Sequence, residues 1–231
     1  MTDEVTDDGC LVLFCKRPAL FQGKQRLATT IGAEQALEFA QSFLACALED
    51  LTAWPGPVIL SPSTPEDASW AATILSRDHD IIAQTGGSLG DRLQQVDQAA
   101  RQLGHEKVIF IGSDHPALSA QHYREAREAL QNNDVVLSPA RDGGVTIMGA
   151  GCVWPDLTGL PWSTEQLGRA LSNHCRDHGL EVSYISSSYD IDVAADLAPL
   201  CHDLKMDYRP ARQALYHQLC DFLMQETTAH G

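Results

Sequence analysis

The stretch KVIFIGSDHPAL, residues 107–118, contains an apolar run that stops on a small residue and is followed by a carboxylate. Val108 to Ile111 include no polar residue, which is typical of a strand buried on both faces of a parallel sheet. Pro116 prevents the strand from continuing. Ligands of open α/β sheets bind at the carboxyl ends of the strands. Asp114 therefore lies where a binding site is expected.

Strands and helices alternate on both sides of this stretch. Apolar runs predict strands at 10–15, 57–61, 80–84, 107–111, 134–140, 145–150 and 181–186. Apolar spacing and capping residues predict helices at 33–51, after Thr64, at 89–103, after Ser119, from a capping box at Ser163–Gln166 to about 177, near 193–203 and at 209–226. The alternation predicts a single-domain three-layer α/β/α fold with a mostly parallel central sheet over residues 10–231, behind an acidic tail at 1–9.

Composition excludes several classes of protein. The 231-residue chain carries a net charge of −15, so it has no basic surplus with which to bind nucleic acid. Seven cysteines without a CxxC pair indicate neither a disulfide framework nor a zinc ribbon. The acidic N-terminus is unlike a signal peptide, and no apolar run has the length of a membrane span. We expect a cytoplasmic, reduced protein.

Basic residues cluster in the segment FCKRPALFQGKQRLATTIG, residues 14–32. The chain has four lysines, and two of them, Lys16 and Lys24, lie here with Arg17 and Arg26. We expect a loop between the strand that ends at Cys15 and the helix that begins near residue 33. Cations at this place suit a nucleotide di- or triphosphate, although a solvated basic loop is the alternative. The P-loop pattern is missing.

Two glycine-rich segments also follow predicted strands. In TGGSLGDRL (85–93), glycines before a helix would let backbone N–H groups approach a ligand at the helix N-terminus, and a flexible turn is the alternative. In SPARDGGVTIMG (138–149), Asp142-Gly143-Gly144 is typical of a hairpin turn. The same two glycines would also let a sugar or a base pack on the backbone.

Three aspartates are candidate metal ligands. Asp114 at a strand end offers the hard oxygen ligand that Mg²⁺ or Mn²⁺ prefers, while a turn cap is its alternative role. In YDIDVAADL (189–197), Asp190 and Asp192 alternate at strand spacing and so point to the same face. A second carboxylate near Asp114 would complete a metal site. Asp192 could instead cap the helix that follows.

The order of these segments resembles a bacterial family of GT-A-like proteins, DUF2064, within the nucleotide-diphospho-sugar transferase superfamily. The resemblance covers about 14–200, includes GSLGDRL from the first glycine-rich segment, and adds LPWST (160–164) to the segments above. Its first loop, roughly K-x-P-x-x-G-x-x-K-T-R-L, is matched by Lys16, Pro18, Lys24, Arg26 and Leu27. Phe21 replaces the usual glycine, Gln25 the usual threonine, and Val145 a tyrosine after the second glycine of the DGG turn. G-[ST]-D-x-P and the late D-x-D are both present.

The resemblance implies a role for each candidate residue. Asp114 with Asp192, and Asp190 in reserve, would coordinate Mg²⁺ or Mn²⁺ bridging the nucleotide phosphates. The nucleotide and its phosphates would contact Lys16, Lys24, Arg26, Gly87, Gly90 and Arg92. The donor or acceptor would contact Gly143, Gly144 and Trp162. Asp114, Asp142 and Lys24 are the catalytic candidates.

Three functions remain compatible with these residues. The leading hypothesis is a metal-dependent transferase with a nucleotide-activated donor, in particular a glycosyltransferase that uses a nucleotide-diphospho-sugar and a small-molecule acceptor. The first alternative is a nucleotidyltransferase of the guanylyltransferase kind, which releases pyrophosphate. The second is a non-catalytic nucleotide-sugar-binding protein, with which the altered first loop is consistent. The sequence leaves the base, the sugar, the acceptor and the oligomeric state open.

Overall fold

The computed structural model describes residues 8–229, with side chains through Gln225, so most of the predicted tail at 1–9 lies outside the described residues. Within that range the chain forms one seven-stranded sheet in the order β3-β2-β1-β4-β6-β5-β7. The strands are β1 (Cys10–Cys15), β2 (Val58–Pro62), β3 (Asp80–Ile81), β4 (Val108–Gly112), β5 (Val135–Pro139), β6 (Val145–Ala150) and β7 (Val182–Tyr184). β6 is antiparallel to both neighbours, and the other pairs are parallel. The predicted single α/β domain with a mostly parallel sheet is confirmed.

Helices cover both faces of the sheet. They are α1 (Gln25–Ile31), α2 (Ala33–Ala53), α3 (Ala68–Ile74), α4 (Leu89–Gln102), α5 (Ala120–Ala129), α6 (Leu167–Asp177), α7 (Leu197–Leu204) and α8 (Pro210–Ala229), with short 3₁₀ turns at Pro65–Asp67 and Ala194–Asp196. No helix among the described residues is both long and apolar enough to cross a membrane.

The core has three parts because strand residues alternate between the two faces. Leu11 and Leu13 of β1 face the side covered by α2, α3 and α5, whereas Cys10 and Val12 face the side covered by α4 and α6. A third cluster joins α1, α2, α7 and α8 beyond the sheet. This third cluster fixes the segment that carries Lys24.

The topology places Asp114 at the centre of the sheet's carboxyl edge. β4 is the middle strand, and Phe14 at the end of β1 is in register with Gly112 at the end of β4. The segment after β1 and the segment after β4 therefore leave the sheet side by side.

Several local expectations were wrong. The segment before α2 is not all loop, because α1 occupies Gln25–Ile31. β3 has two residues instead of five, although the N–H of Ile82 and that of Gln84 still donate to carbonyls of β2. The capping box at 163–166 does not form: Ser163 has a φ of 62°, and α6 begins at Leu167.

Candidate functional site

The basic segment after β1 is folded back onto the sheet edge by α1. Lys24 immediately precedes α1 and has left-handed backbone angles, φ 47° and ψ 34°. Leu27, in the first turn of α1, is completely buried in the cluster formed with α2, α7 and α8. Burying a leucine side chain stabilises by roughly 1.5–3 kcal/mol, which anchors this short helix. The anchor brings the Lys24 side chain over the carboxyl edge.

Lys24 joins two carboxylates that are far apart in sequence. Its Nζ donates to Asp114 Oδ2 at 2.9 Å, to Asp192 Oδ1 at 3.2 Å and to the carbonyl oxygen of Ile191 at 2.6 Å. The N–H of Ile191 donates to the carbonyl of Asp114 at 3.1 Å, so the two carboxylate-bearing segments are also linked through their backbones. The lysine side chain is 12% exposed, whereas those of Asp114 and Asp192 are 41% and 47% exposed.

The ion pair keeps both partners charged. Burial lowers the pKa of Lys24, but Asp114 and Asp192 outweigh that effect, and the net pKa is raised. Partial desolvation opposes ionisation of Asp114, yet the charge of His115 and the charge and hydrogen bond of Lys24 lower its pKa to about 2. At neutral pH Lys24 is therefore an ammonium ion and Asp114 an ionised carboxylate.

A cavity of about 200 Å³, here called the basic cavity, opens beside this ion pair. Lys16, Arg17 and Lys24 line it together with Ser113, Asp114 and Asp192. Arg26 does not line it: its guanidinium is 79% exposed and reaches only to 3.9 Å from Asp192 Oδ2. The structure thus brings together Lys16, Lys24, Asp114 and Asp192 of the candidate residues, and it leaves Arg26 at the rim.

Asp190 belongs to the same carboxyl edge of the sheet. In the part of the chain that the structure describes, its carboxylate makes no contact with the Lys24 ammonium. Burial raises the pKa of Asp190, the charge of His115 opposes this, and Asp192 and Asp142 raise it further. Asp192 does not cap the next helix. Instead, the Asp196 carboxylate accepts the N–H groups of Asp192 and Val193, each at 2.9 Å.

Gly112 makes room for the two side chains that follow β4. A Cβ at this position would lie 2.9 Å from Asp114 Oδ1 and 3.1 Å from His115 Nε2. His115 Nε2 in turn lies 3.8 Å from Asp114 Oδ1. A larger residue at the end of the strand would therefore displace the carboxylate or the imidazole from these positions.

The glycine loop before α4 is engaged in protein contacts. Ser88 and Asp91 form a capping box that satisfies the start of α4. Arg92 donates to Gln84 Oε1 at 3.0 Å and to the carbonyl of Ser88 at 3.3 Å. A Cβ on Gly90 would lie 2.4 Å from the carbonyl oxygen of Leu157. None of Gly87, Gly90 and Arg92 lines the basic cavity.

The Asp142-Gly143-Gly144 turn docks on the start of α6. Gly143 has a φ of 89°, and a Cβ there would lie 2.0 Å from the carbonyl oxygen of Glu165. Its own carbonyl accepts the N–H of Gly168 at 2.9 Å. Asp142 Oδ1 accepts the N–H of Gly144 at 2.9 Å, which is the turn geometry that the sequence favours. Packing therefore accounts for Gly143.

Trp162 and His115 lie on another cavity, on the α4 and α6 side of the sheet, which Asp114 also lines. The candidate set omitted His115 and Arg17, although both are visible in the sequence beside Asp114 and Lys16. It also omitted the apolar side chains of this cavity, because their spacing cannot be distinguished from that of core residues. The carbonyl of Ile191 carried no sequence signal.

The candidate metal ligands form a pair and not a larger cluster. In the region covered by the structure there is no group of three His, Cys, Asp or Glu side chains that could hold a metal ion. The oxygens of Asp114, Asp192 and Ile191 do converge on one cationic group, the Lys24 ammonium. An all-oxygen donor set of this kind suits Mg²⁺ or Mn²⁺. Magnesium is commonly held by one or two carboxylates together with substrate phosphates, so the two carboxylates fit such an ion.

Comparison with known proteins supports the fold. No curated protein matches the chain. A protein from Desulfovibrio desulfuricans, provisionally named a nucleotide-diphospho-sugar transferase, superposes with a TM-score of 0.84 at 25% identity, covering 94% of this chain and 97% of its own. The Mycobacterium strain JC1 homologue of Rv0371c gives 0.55 at 16% identity over 88% and 100% of the two chains. A Methanothermobacter nucleotidyl transferase gives 0.54 at 14% identity over 85% and 99%.

The sequence also matches one family model over residues 44–164, a range that contains β2 to β6 and the segment around Asp114. The match extends over more than half of the chain. The chain therefore belongs to the DUF2064 family, which is described as uncharacterized protein conserved in bacteria.

Proposed function

We propose that this protein is a metal-dependent transferase that uses a nucleotide-activated donor, and that the donor is a nucleotide-diphospho-sugar. The observation that carries the proposal is the Lys24 ammonium held between Asp114 and Asp192, in a cavity that Lys16 and Arg17 also line. Cations and paired carboxylates at one strand edge suit a polyphosphate together with a divalent metal. The name given to the Desulfovibrio protein, 25% identical, points to the same class of donor.

Asp114 and Asp192 would hold the metal, and phosphate oxygens and water would complete its coordination. When bound, the metal would supply Lewis-acid neutralisation of the charge that develops on the leaving diphosphate. The 41% and 47% exposure of the two carboxylates leaves oxygens accessible from the basic cavity. Asp190 stays in reserve, because its carboxylate does not bond the Lys24 ammonium as those of Asp114 and Asp192 do.

Lys24 and Lys16 would bind the phosphates from the other side of the basic cavity. Lys24 is already ordered at the edge by its contacts to Asp114, Asp192 and Ile191. A bound phosphate would give it a further anionic partner, and a fixed cation stabilises charge that develops on a leaving group. We propose that Arg26 contributes only long-range attraction from the rim. Gly87, Gly90 and Arg92 would shape the neighbouring loop.

Asp142 is the remaining catalytic candidate. Its Oδ1 is used by the Gly144 N–H, which leaves Oδ2 for a hydroxyl of the donor sugar. Its charge raises the pKa of Asp190. We propose that Asp142 contacts the sugar of the donor, and that Gly144 and Trp162 contact the donor or the acceptor.

Nucleotidyl transfer is the second candidate, and the three cations of the basic cavity favour it. Lys16, Arg17 and Lys24 could neutralise the larger charge of a triphosphate and stabilise pyrophosphate as the leaving group.

One assay separates the two reactions. The protein would be incubated with Mg²⁺ or Mn²⁺, a panel of nucleoside triphosphates, and UDP- and GDP-sugars. Release of nucleoside diphosphate from a sugar nucleotide supports glycosyl transfer, and release of pyrophosphate supports nucleotidyl transfer. Either activity should be lost in Asp114→Ala. Nucleotide binding without any release would indicate a binding protein, and absence of binding would contradict the whole proposal.

A further inference from the structure

A second cavity of about 260 Å³ lies on the other side of Asp114 from the basic cavity, and we call it the apolar cavity. It opens to solvent and is bordered by the face of the sheet that packs against α4 and α6, and by those two helices. Most of its wall is aromatic or aliphatic. The side chains that matter here are Phe14, Leu89, Leu93, Phe110, Met148 and Trp162.

The polar atoms in this wall are few and mostly engaged. Thr146 donates its hydroxyl to Ser138 Oγ at 2.8 Å. Trp162 donates its Nε1 to the carbonyl of Leu157 at 2.7 Å, so the indole offers only its carbon surface. Among the residues that the structure describes, no lysine or arginine lines the cavity. Asp114 and His115 remain as the side chains able to meet a polar group of a ligand, and both come from the segment after β4.

The apolar wall favours the aromatic or aliphatic part of a substrate over its polar part. A sugar or a nucleobase placed here would exchange several hydrogen bonds with water for apolar contacts, and each unmatched polar group costs about 1–3 kcal/mol. A phosphate would lack a cation. An aromatic ring would bury its surface against Phe14, Phe110 and Met148, and a cavity of about 150 Å³ lined by Leu, Ile and Phe is enough to hold benzene.

We propose that the apolar cavity binds the body of an aromatic or alicyclic alcohol, with its hydroxyl group at the end formed by Asp114 and His115. Asp114 lines both cavities, so this hydroxyl would lie next to the polyphosphate bound in the basic cavity. The inference rests on the proposed function where it identifies this alcohol as the acceptor. Binding of the alcohol itself does not depend on that function.

The test measures binding of phenol, cyclohexanol and methyl glucoside by calorimetry and ligand-observed NMR, without nucleotide and then with saturating GTP or UDP-glucose. Phenol and cyclohexanol should bind, methyl glucoside should not, and neither nucleotide should displace the bound alcohol. Preference for methyl glucoside, or competition between phenol and either nucleotide, would overturn the assignment.

Two variants on α4 make a matched pair. Leu89→Trp would place an indole in the apolar cavity. It should weaken phenol binding by about tenfold or more, since the indole would occupy the space of the phenol ring. Leu103→Trp, at the other end of α4 where the side chain is 55% exposed, should leave phenol binding unchanged. Equal binding in both variants would contradict the inference. If Leu89→Trp does not fold, Leu93→Phe fills the same cavity from the next turn.

Nucleotide binding distinguishes failure of the proposed function from failure of the apolar site. Leu89→Trp should bind GTP and UDP-glucose as the unaltered protein does, whereas Lys24→Ala should lose nucleotide affinity and keep phenol. If phenol binds and no nucleotide does, the proposed function fails and the apolar site stands. If nucleotide binds and phenol does not, only the apolar site fails.

Discussion

At the scale of single residues, the Lys24 ammonium can pair with the protein's own oxygens or with a nucleotide phosphate, and each pairing weakens the other. In the free protein its ammonium is shared by Asp114, Asp192 and the Ile191 carbonyl. A nucleotide phosphate would compete for the same ammonium, and a divalent cation would compete for the same carboxylates. Loss of the lysine should therefore change phosphate affinity and metal affinity in opposite directions.

Lys24→Ala should weaken nucleotide binding by about ten- to a hundredfold, because a charge-assisted hydrogen bond contributes roughly 1.5–3 kcal/mol. Calorimetry with a nucleotide and with the matching nucleoside measures the effect, which should be smaller for the nucleoside. Lys205→Ala, at the exposed C-terminal end of α7, is the control and should bind as before. An equal loss for nucleotide and nucleoside would indicate damage to the fold.

Lys24→Met should tighten Mn²⁺ binding in the absence of nucleotide. The methionine keeps the aliphatic length and removes the charge that neutralises Asp114 and Asp192 in the free protein. We expect about a tenfold gain, which corresponds to 1.4 kcal/mol. Titration monitored by the electron paramagnetic resonance of free Mn²⁺ gives the affinity. The double variant Lys24→Met/Asp114→Asn should lose the gain. Unchanged or weaker Mn²⁺ binding in Lys24→Met alone would show that the lysine does not compete with the metal.

The Asp114 carboxyl should titrate at an acidic pH that depends on Lys24. Although desolvation acts against it, the charges of His115 and Lys24 set its folded pKa to about 2. A folded pKa below the unfolded value stabilises the protein above about pH 4, and this contribution is lost as the pH falls towards 2. Carboxyl ¹³C chemical shifts measure the titration. In Lys24→Met the midpoint should move upward, and an unchanged midpoint would exclude the ion pair.

At the scale of elements, the sequence predicts the helices and strands that periodicity and turn residues determine. It does not predict an element whose stability comes from tertiary packing. The seven strands were predicted because apolar runs of that length carry a strong signal. α1 was missed because Gln25–Ile31 has seven residues, and its stability comes from burying Leu27 against α2 and α7. Convergence of Asp114 and Asp192 was expected from strand ends, but the lysine between them depends on α1.

The turn at Gly143 should tolerate no side chain. Gly143→Ala combines a φ of 89° with a Cβ only 2.0 Å from the Glu165 carbonyl oxygen, so α6 would have to shift. Gly104→Ala has a comparable φ of 96° but open space around the new methyl group. Backbone strain alone costs about 1–3 kcal/mol, and Gly143→Ala should exceed Gly104→Ala by a further 1 kcal/mol or more. Urea unfolding of both variants measures the difference, and equal losses would mean that the contact with α6 contributes nothing.

At the scale of the whole molecule, a buried charge network joins the C-terminal helix to the segment that carries Asp114. Arg212 of α8 is completely buried and donates to Asp50 Oδ2 at 2.6 Å, to Glu49 Oε2 at 3.1 Å and to the Leu118 carbonyl at 3.1 Å. Tyr123 donates its hydroxyl to the same Asp50 oxygen at 2.8 Å. The helical pattern of 209–226 predicts α8, but it cannot indicate that one of its arginines is internal, because arginine is usually exposed.

Arg212→Met should destabilise the fold by about 3 kcal/mol, the lower end of the cost of breaking a buried ion pair. Asp50 would lose Arg212 but keep Arg209, whose Nη1 donates to Asp50 Oδ1 at 2.6 Å, and the Tyr123 hydroxyl. Burial raises the pKa of Asp50, although the two arginines act to lower it. Removal of Arg212 should therefore raise the Asp50 pKa further, and the loss of stability with rising pH should extend to a higher pH. A carboxyl whose folded pKa lies above the unfolded value loses stability as the pH rises through that interval.

Urea denaturation followed by tryptophan fluorescence at several pH values measures both effects of Arg212→Met. Arg17→Met is the control, because its pair with Asp67 is exposed and 4.0 Å long, and it should cost at most about 1 kcal/mol. Asp50→Leu combined with Arg212→Met should recover part of the loss, since the buried carboxylate is removed together with its buried arginine, while Arg209 keeps its pair with Asp207. If the single variant costs no more than the control, the contacts to Asp50 and to the Leu118 carbonyl do not hold α8 against the sheet. In that case the position of the Asp114 segment depends on the strand, on Lys24, on the backbone bond from Ile191 and on Arg209, which also donates to the Leu118 carbonyl.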